Sequence, residues 1–299
     1  MVNKKLPAVT IGIPFYNAET TLLDAVRAVF SQTHENWELI LLDDGSTDGS
    51  LKLARSIRDP RVRVYSDGKN LRLAARLNQM TKLAKHEFIA RMDADDLMAP
   101  ERIEKLLSIL HLHEEYDLVS CATYSIDASS SLKGFRGNEE FSYTFDGILR
   151  KSQRFLHAGL IARKSWYQRN RYDESLPVGQ DTDLWLRAAK IGDFRAASVA
   201  EPLYMYREEG NVTQKKLLAA YRMERSKVAS YIDNYLDRYV FLLKSLIKSL
   251  VVIVMGRAGV LGYLLQRRNN KIVDDNLRKG FDKACERVLA TKIPRDKFD

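Results

Sequence analysis

The chain has 299 residues, 45% of them hydrophobic and 29% charged, which excludes a disordered or fibrous chain and leaves enough apolar side chains for a sizeable core. Two cysteines, Cys121 and Cys285, exclude a disulfide framework and a four-cysteine zinc site, so a reducing, cytoplasmic compartment is expected. The net charge is +9, but residues 1–210 carry 29 basic and 30 acidic side chains and the rest carry 19 and 9. The whole excess therefore sits in the last third, and a basic third implies an acidic partner.

In chain order, Val9–Pro14 is a β-branched run that predicts a first strand. Leu22, Ala25, Val26 and Val29 then mark one helix face. Leu39–Leu42 is a second strand ending in Asp43-Asp44-Gly45-Ser46, and Asp48 is placed to cap a helix running to about Ile57. Strands at Val62–Tyr65, Phe88–Ala90 and Leu118–Cys121 alternate with helices at about 71–84 and from Pro100 onward. This order predicts an α/β fold with a mostly parallel sheet flanked by helices. Ligands in such folds bind at the carboxyl ends of strands. Pro14-Phe15-Tyr16-Asn17, Asp43-Asp44-Gly45-Ser46 and Asp93-Ala94-Asp95-Asp96 fall at three of those ends.

Three carboxylates within four residues at 93–96 repel one another and suit a hard divalent cation, Mg²⁺ or Mn²⁺, shared with phosphates. The alternative for these residues is a solvated loop with a helix cap. Taken together with Ser31-Gln32-Thr33, Ala90-Arg91-Met92 and Pro100-Glu101-Arg102, they closely resemble the family 2 glycosyltransferases. Downstream, His157, Tyr172-Asp173-Glu174 and Gln180–Arg187 are similar to the acceptor half of that family, so the resemblance covers about residues 7–210.

The resemblance implies a GT-A fold and an inverting, metal-dependent transfer from a nucleotide-diphosphate sugar, here expected to be a UDP-sugar, to a glycan hydroxyl. It implies that Pro14, Tyr16 and Asp44 line the base and ribose, and that Asp95 holds the cation with Asp93 supporting it or the ribose. Asp181 is implied as the base that takes the acceptor proton, with His157, Gln180 and Trp185 on the acceptor side. Arg72 stands where the family usually has glycine; it and Arg76 are expected either to reach the diphosphate or to lie on a solvated helix face. Gln180 replaces the usual Glu, and Ala158-Gly159 replace the usual residue after His157. Gln168–Tyr172 looks like the processive-synthase motif but precedes Asp181, so single-sugar addition is expected. A catalytically silent nucleotide-sugar binder of the same fold is the alternative.

The expected domains are 1–210, divided at 122 into donor and acceptor halves, and 211–299 as a basic helical extension. There, 214–238 and the Val240–Val254 run have helical periodicity, followed by an apolar patch at 260–265 and Arg267-Arg268. The charge-free end of that run, Ser249–Gly256, is far below the roughly 20 residues of a membrane span, so the extension is expected to lie on an anionic membrane surface or to pack on the core. A peripheral site at the inner face of the cell membrane, a lipid-linked acceptor and no nucleic acid complete the expectation.

Overall fold

The computed structural model describes residues 6–137, 140, 142–208, 213–260 and 274–296. Strands β1 (Val9–Phe15), β2 (Trp37–Asp43), β3 (Val62–Tyr65) and β4 (Phe88–Arg91) form a parallel block in the order β3-β2-β1-β4. Helices α1 (Leu22–Phe30), α2 (Ser50–Arg55) and α3 (Arg72–Leu83) connect them. Every residue of β1 and β2 is buried, as apolar runs with both faces covered must be. The polar exception, Glu38, accepts hydrogen bonds from Thr10 Oγ1 (2.7 Å), the Lys85 N–H (2.7 Å) and Arg63 (2.9 Å). At Gly12 a Cβ would meet the Met80 sulfur at 1.7 Å, so Met80 of α3 packs directly on the β1 backbone and a side chain at 12 would displace it.

The sheet then becomes mixed. The two-residue β5 (Leu97–Met98) and helix α4 (Arg102–Leu112) lead to β6 (Leu118–Ile126) and β7 (Leu132–Arg136). Helix α5 (Phe145–Leu149), strand β8 (Ile161–Arg163), helices α6 (Lys164–Arg169) and α7 (Gln180–Lys190), and strand β9 (Ala196–Arg207) follow. Short β8 inserts antiparallel between β4 and β6, and β9 runs parallel to β6. One nine-stranded sheet among the described residues thus runs through both halves, and the boundary expected at 122 falls inside β6. Ser31-Gln32-Thr33 ties the layers together: Gln32 donates to the carbonyls of Ala28 (2.9 Å) and Ala99 (3.0 Å) and accepts from the first turn of α4 at Ile103 (3.1 Å).

The basic last third divides in two. Helix α8 (Gln214–Ser226) ends earlier than the periodicity suggests, in a short 3-10 turn at Val228–Tyr231, and α9 (Tyr235–Arg257) begins after it. α9 has the length and composition of a membrane-crossing helix; counting only uninterrupted apolar residues had hidden this, because two lysines interrupt the run. The patch at 261–265 and Arg267-Arg268 lie outside the described residues. Helix α10 (Asp275–Ala290) belongs to the catalytic body: Phe281, Cys285 and Val288 are buried in the core beneath α1. The Phe281 ring meets Tyr124 edge-on at 5.3 Å, and Tyr124 donates to the Leu277 carbonyl at 3.1 Å. Beyond it, the Arg58 N–H donates to the Pro294 carbonyl (2.7 Å) and Arg58 pairs with Asp296.

Phe281→Ala is therefore expected to destabilise the protein by about 3–5 kcal/mol, the cost of a large cavity in a core. Urea unfolding checks this; a loss below about 0.5 kcal/mol, typical of a surface position, would show that α10 is not part of the cooperative core.

Candidate active site

At the ends of β1 and β2 the chain makes a polar cradle. Pro14 is buried in the last turn of β1, and Tyr16 beyond it is 50% exposed. Asn17, at φ 49°, pins the facing loop by accepting from the Thr47 N–H (2.8 Å), while its own N–H donates to Ser46 Oγ (3.1 Å). Gly45 sits at φ 77° with backbone atoms of Lys69 and Asn70 about 3 Å from where a Cβ would be, so no other residue fits there without moving that chain. Asp44 accepts from the N–H groups of Leu71 (2.7 Å) and Arg72 (3.0 Å) and from Arg76 Nε (2.9 Å).

Arg76 requires a correction. It is 1% exposed, and its guanidinium is spent on Asp44, Asp67 (2.7 Å), Gln79 (2.8 Å) and the Lys69 carbonyl. It neither reaches out to a phosphate nor lies on a solvated face. It braces the cradle, and its bonds hold the Asp67 carboxyl down to about 2. Arg72 is the reverse case: its side chain is exposed, and its backbone stands at φ 68° in the left-handed region that penalises any residue but glycine.

At the end of β4 the three carboxylates separate into roles. Asp96 is buried and accepts from the Tyr204 hydroxyl (2.8 Å) and the Arg207 N–H (2.7 Å). Burial first, then the charges of Asp93 and Asp95, push its carboxyl far above the usual range. Asp93 pairs with buried Arg91, and its backbone N–H donates to the Tyr204 hydroxyl oxygen at 3.1 Å. Asp93 and Asp95 remain half-exposed. No group of three acidic, histidine or cysteine side chains among the described residues could hold a metal alone. Two half-exposed carboxylates do fit an Mg²⁺- or Mn²⁺-type ion whose remaining ligands come from phosphates and water.

Asp181 lies in the first turn of α7, where Gly179, at φ 72°, turns the chain into the helix. The Asp181 carboxylate accepts only from the adjacent Thr182 N–H (2.8 Å) among the hydrogen bonds of the described residues, and it stays half-exposed. Gln180 beside it is also half-exposed. His157 and Trp185 do not face open space. His157 is buried, its Nε2 2.7 Å from the Tyr172 hydroxyl. Burial first, then Arg91, hold its pKa well below the usual value, so the ring is neutral. Trp185 is corrected from acceptor contact to core: it is 4% exposed, with Phe194 at 5.1 Å, Phe155 at 5.4 Å and His157 at 5.5 Å.

Tyr172 is tied into this buried group: its hydroxyl lies 2.7 Å from His157 Nε2 and donates to the Tyr167 hydroxyl (3.3 Å), and its backbone N–H donates to Asn78 Oδ1 (3.1 Å). Arg91, Tyr172, Tyr204 and Arg207 are site-forming residues to which sequence reasoning gave no role. Arg91 and Tyr172 lie inside the motifs already singled out; Tyr204 and Arg207 lie on β9, where no motif marks them. Gln168 and Arg169 are elsewhere: Arg169 pairs with Asp117 (3.1 Å) and Asp193 (3.0 Å), and Asp117 precedes β6 at the opposite edge of the sheet.

Comparison with known proteins agrees with this geometry. Residues 10–176 match the family model described as glycosyl transferase family 2. A putative glycosyltransferase of Bacillus subtilis, EpsE, is 35% identical over 217 residues, 70% of this chain and 76% of that protein. Chondroitin synthase of Escherichia coli is 24% identical over 64% of this chain and 28% of its own. Among solved structures, S. aureus TarS 1–349 in complex with UDP has a TM-score of 0.58 at 17% identity, covering 80% of this chain and 70% of its own. The mannosyltransferase PcManGT of Pyrobaculum calidifontis, in complex with GDP-Man and Mn²⁺, has a TM-score of 0.59 at 15% identity, covering 97% and 89%.

The buried neutral His157 gives a pH signature. The unfolded chain binds a proton on it below about 6.5 and the folded chain does not, so stability is lost as pH falls below that value. The loss should approach 1.4 kcal/mol per pH unit until the lower folded pKa is passed. Denaturant midpoints of the protein and of His157→Gln between neutral and mildly acidic pH should diverge in slope; parallel curves would refute a neutral buried imidazole.

Proposed function

Because the chain belongs to glycosyl transferase family 2, we propose that it moves one sugar, with inversion, from a UDP-sugar to a hydroxyl of a lipid-linked glycan during surface polysaccharide assembly. The reaction is placed on the cytoplasmic side of the cell membrane. The observation that carries this is that half-exposed Asp93 and Asp95 follow the end of β4, with Arg91 pairing Asp93 from the buried side, while Asp181 in the first turn of α7 keeps a half-exposed carboxylate.

The chemistry follows from those positions. Asp181 takes the proton of the acceptor hydroxyl as its oxygen forms the new bond to the anomeric carbon. The anomeric bond to the diphosphate breaks on the opposite face, and the diphosphate leaves with the electron pair. Asp95, with Asp93, would hold the divalent ion, which when bound supplies positive charge against the leaving diphosphate. Arg91 neutralises Asp93 from the buried side, leaving its outward side for the ion or ribose. Tyr16 offers an exposed ring to the base, with Pro14 as the floor. A carboxylate has about four acceptor positions, so Asp44, with three taken, keeps one for a base N–H. Arg72 reaches for the diphosphate, and its strained backbone is held for that side chain.

The first test is thermal unfolding with Mn²⁺ and UDP, GDP, dTDP or CMP in turn. The cognate nucleotide at about 100 times its dissociation constant should stabilise by about 2.7 kcal/mol, a midpoint shift of roughly 2–4 °C. The shift should vanish on chelation and in Asp95→Ala. Asp181→Asn should keep the shift and lose turnover by on the order of 10²–10⁴. Wild-type protein that binds nucleotide but turns over no donor would instead be a silent binder.

Arg72→Gly separates strain from binding. Left-handed strain of about 1–2 kcal/mol is relieved against a glycine entropy cost of about 0.5–1 kcal/mol, so stability should hold or rise slightly. Nucleotide affinity should fall. A variant that loses stability instead would show Arg72 to be a structural residue.

A further inference from the structure

Helix α9 is turned inside out for a soluble protein. The side chains it buries are Ser245, Ser249 and Val252, while Leu236, Leu243, Leu246, Ile247, Leu250 and Val254 are exposed, Leu250 by 61%. The serines face α8: Arg225 donates to Ser249 Oγ (2.8 Å) and Ser245 Oγ (3.2 Å), and Ser245 Oγ donates to the Tyr221 carbonyl (3.2 Å). At 100° per residue these positions, with exposed Val240 and Val251, cover an arc of about 140°. Lys244 and Lys248 form its border on one side, and Tyr235 and Tyr239 stand exposed at its first turns.

We propose that α9 docks this protein on an anionic bilayer, lying in the plane of the interface with its leucine face in the acyl boundary and Lys244 and Lys248 at the headgroups. The arc is wider than the narrow seam that a coiled-coil partner covers. A second copy would bring a like-charged surface, since the residues after 210 carry 19 basic and 9 acidic side chains; an anionic bilayer attracts that charge. α9 does not cross, although it is long enough. It runs along the whole of α8, from Arg225 against Ser245 to Gln214 against Gly256, so a span would carry the Arg225 guanidinium to the middle of the hydrocarbon. By Leu277, whose carbonyl accepts from Tyr124 (3.1 Å), the chain is also back on the body.

The surface adjoins the acceptor half. Val240, Phe241 and Lys244 face Phe145 and Leu149 of α5 across a cavity of about 520 Å³, and α5 packs on α7, which carries Asp181. Docking would therefore set the base beside a membrane and its lipid-borne hydroxyls. The inference adds a partner to the proposed transfer but stands without it.

The test is flotation of the full-length protein with phosphatidylcholine vesicles, with and without phosphatidylglycerol. Binding should require the anionic lipid, weaken with salt, and vanish in the double variant Leu246→Glu, Leu250→Glu. Each of Lys244→Gln and Lys248→Gln should weaken it roughly fivefold. These residues are exposed, so thermal midpoints and the nucleotide-induced shift should be unchanged, which keeps this test separate from that of the transfer reaction. The single variants Leu236→Cys, Ile247→Cys and Val254→Cys, each carrying an environment-sensitive fluorophore, should report one shared, shallow depth; Cys121 and Cys285 are buried and will not compete. Probes deepest at 247 would overturn the in-plane orientation. Protein that ignores anionic vesicles overturns the docking, whether it remains monomeric or forms a dimer that the leucine variants dissolve.

Discussion

The whole site hangs on a guanidinium that never sees water. Arg102, fully buried, lies beneath the junction where parallel β4 meets antiparallel β8 and donates to the carbonyls of Arg91 (3.0 Å), Leu160 (3.0 Å) and Gly159 (3.3 Å). The β4–β8 pairing ends at Ala90 and Ile161, so the carbonyls of Arg91, Leu160 and Gly159 lie just past it, and buried carbonyls must be satisfied. Three carbonyl dipoles in turn solvate a cation that has no carboxylate among its hydrogen-bond partners. Burial pulls the Arg102 pKa below its ordinary value, yet that value is so high that the charge survives. Arg91 is thereby fixed in place, and through it Asp93, the turn at 93–96, and the hydroxyls around His157.

The same device recurs along the carboxyl edge of the sheet. Arg76 sits under Asp44 as Arg91 sits under Asp93: each is a buried arginine that meets a carboxylate from the protein side and leaves the other side facing out. Truncating either cation would strand its carboxylate, which is worse than never having had the pair. The negative charges of Asp44 and Asp93 at the strand ends are thus balanced from below rather than by solvent.

Strands β1 to β4 and helices α1 and α3 were legible because their signals are local: β-branched runs, a helical apolar stripe, and turn residues between them. The strand-end acids were legible for the same reason. Strand β9 was not, because Glu201 and Pro202 interrupt its alternation and its pairing with β6 shifts register around Ala122. The burial of Arg76 was invisible because its partner Asp44 is 32 residues away, and periodicity alone places an arginine outside. Trp185 misled in the opposite direction. It stands next to polar motif residues, but its ring is claimed by Phe155 and Phe194 from other elements. The break after Ser226 left no trace either, since Val228, Tyr231 and Ile232 keep helical spacing across it.

The return of the chain to the body after α9 changes what the last third is. With Met223 and Val228 in the core on one side and Phe281, Cys285 and Val288 on the other, α9 is an insertion between two core pieces. Trimming the protein from its C-terminus to improve solubility would strip core before it reached the apolar surface. An internal excision between the 3-10 turn and α10 would remove that surface and keep both core pieces, while baring the face of α8 that meets Ser245 and Ser249. By the same logic, a lineage could exchange this one helix for another and readdress the enzyme within the cell while leaving the polar cradle, the strand-end acids and Asp181 where they are.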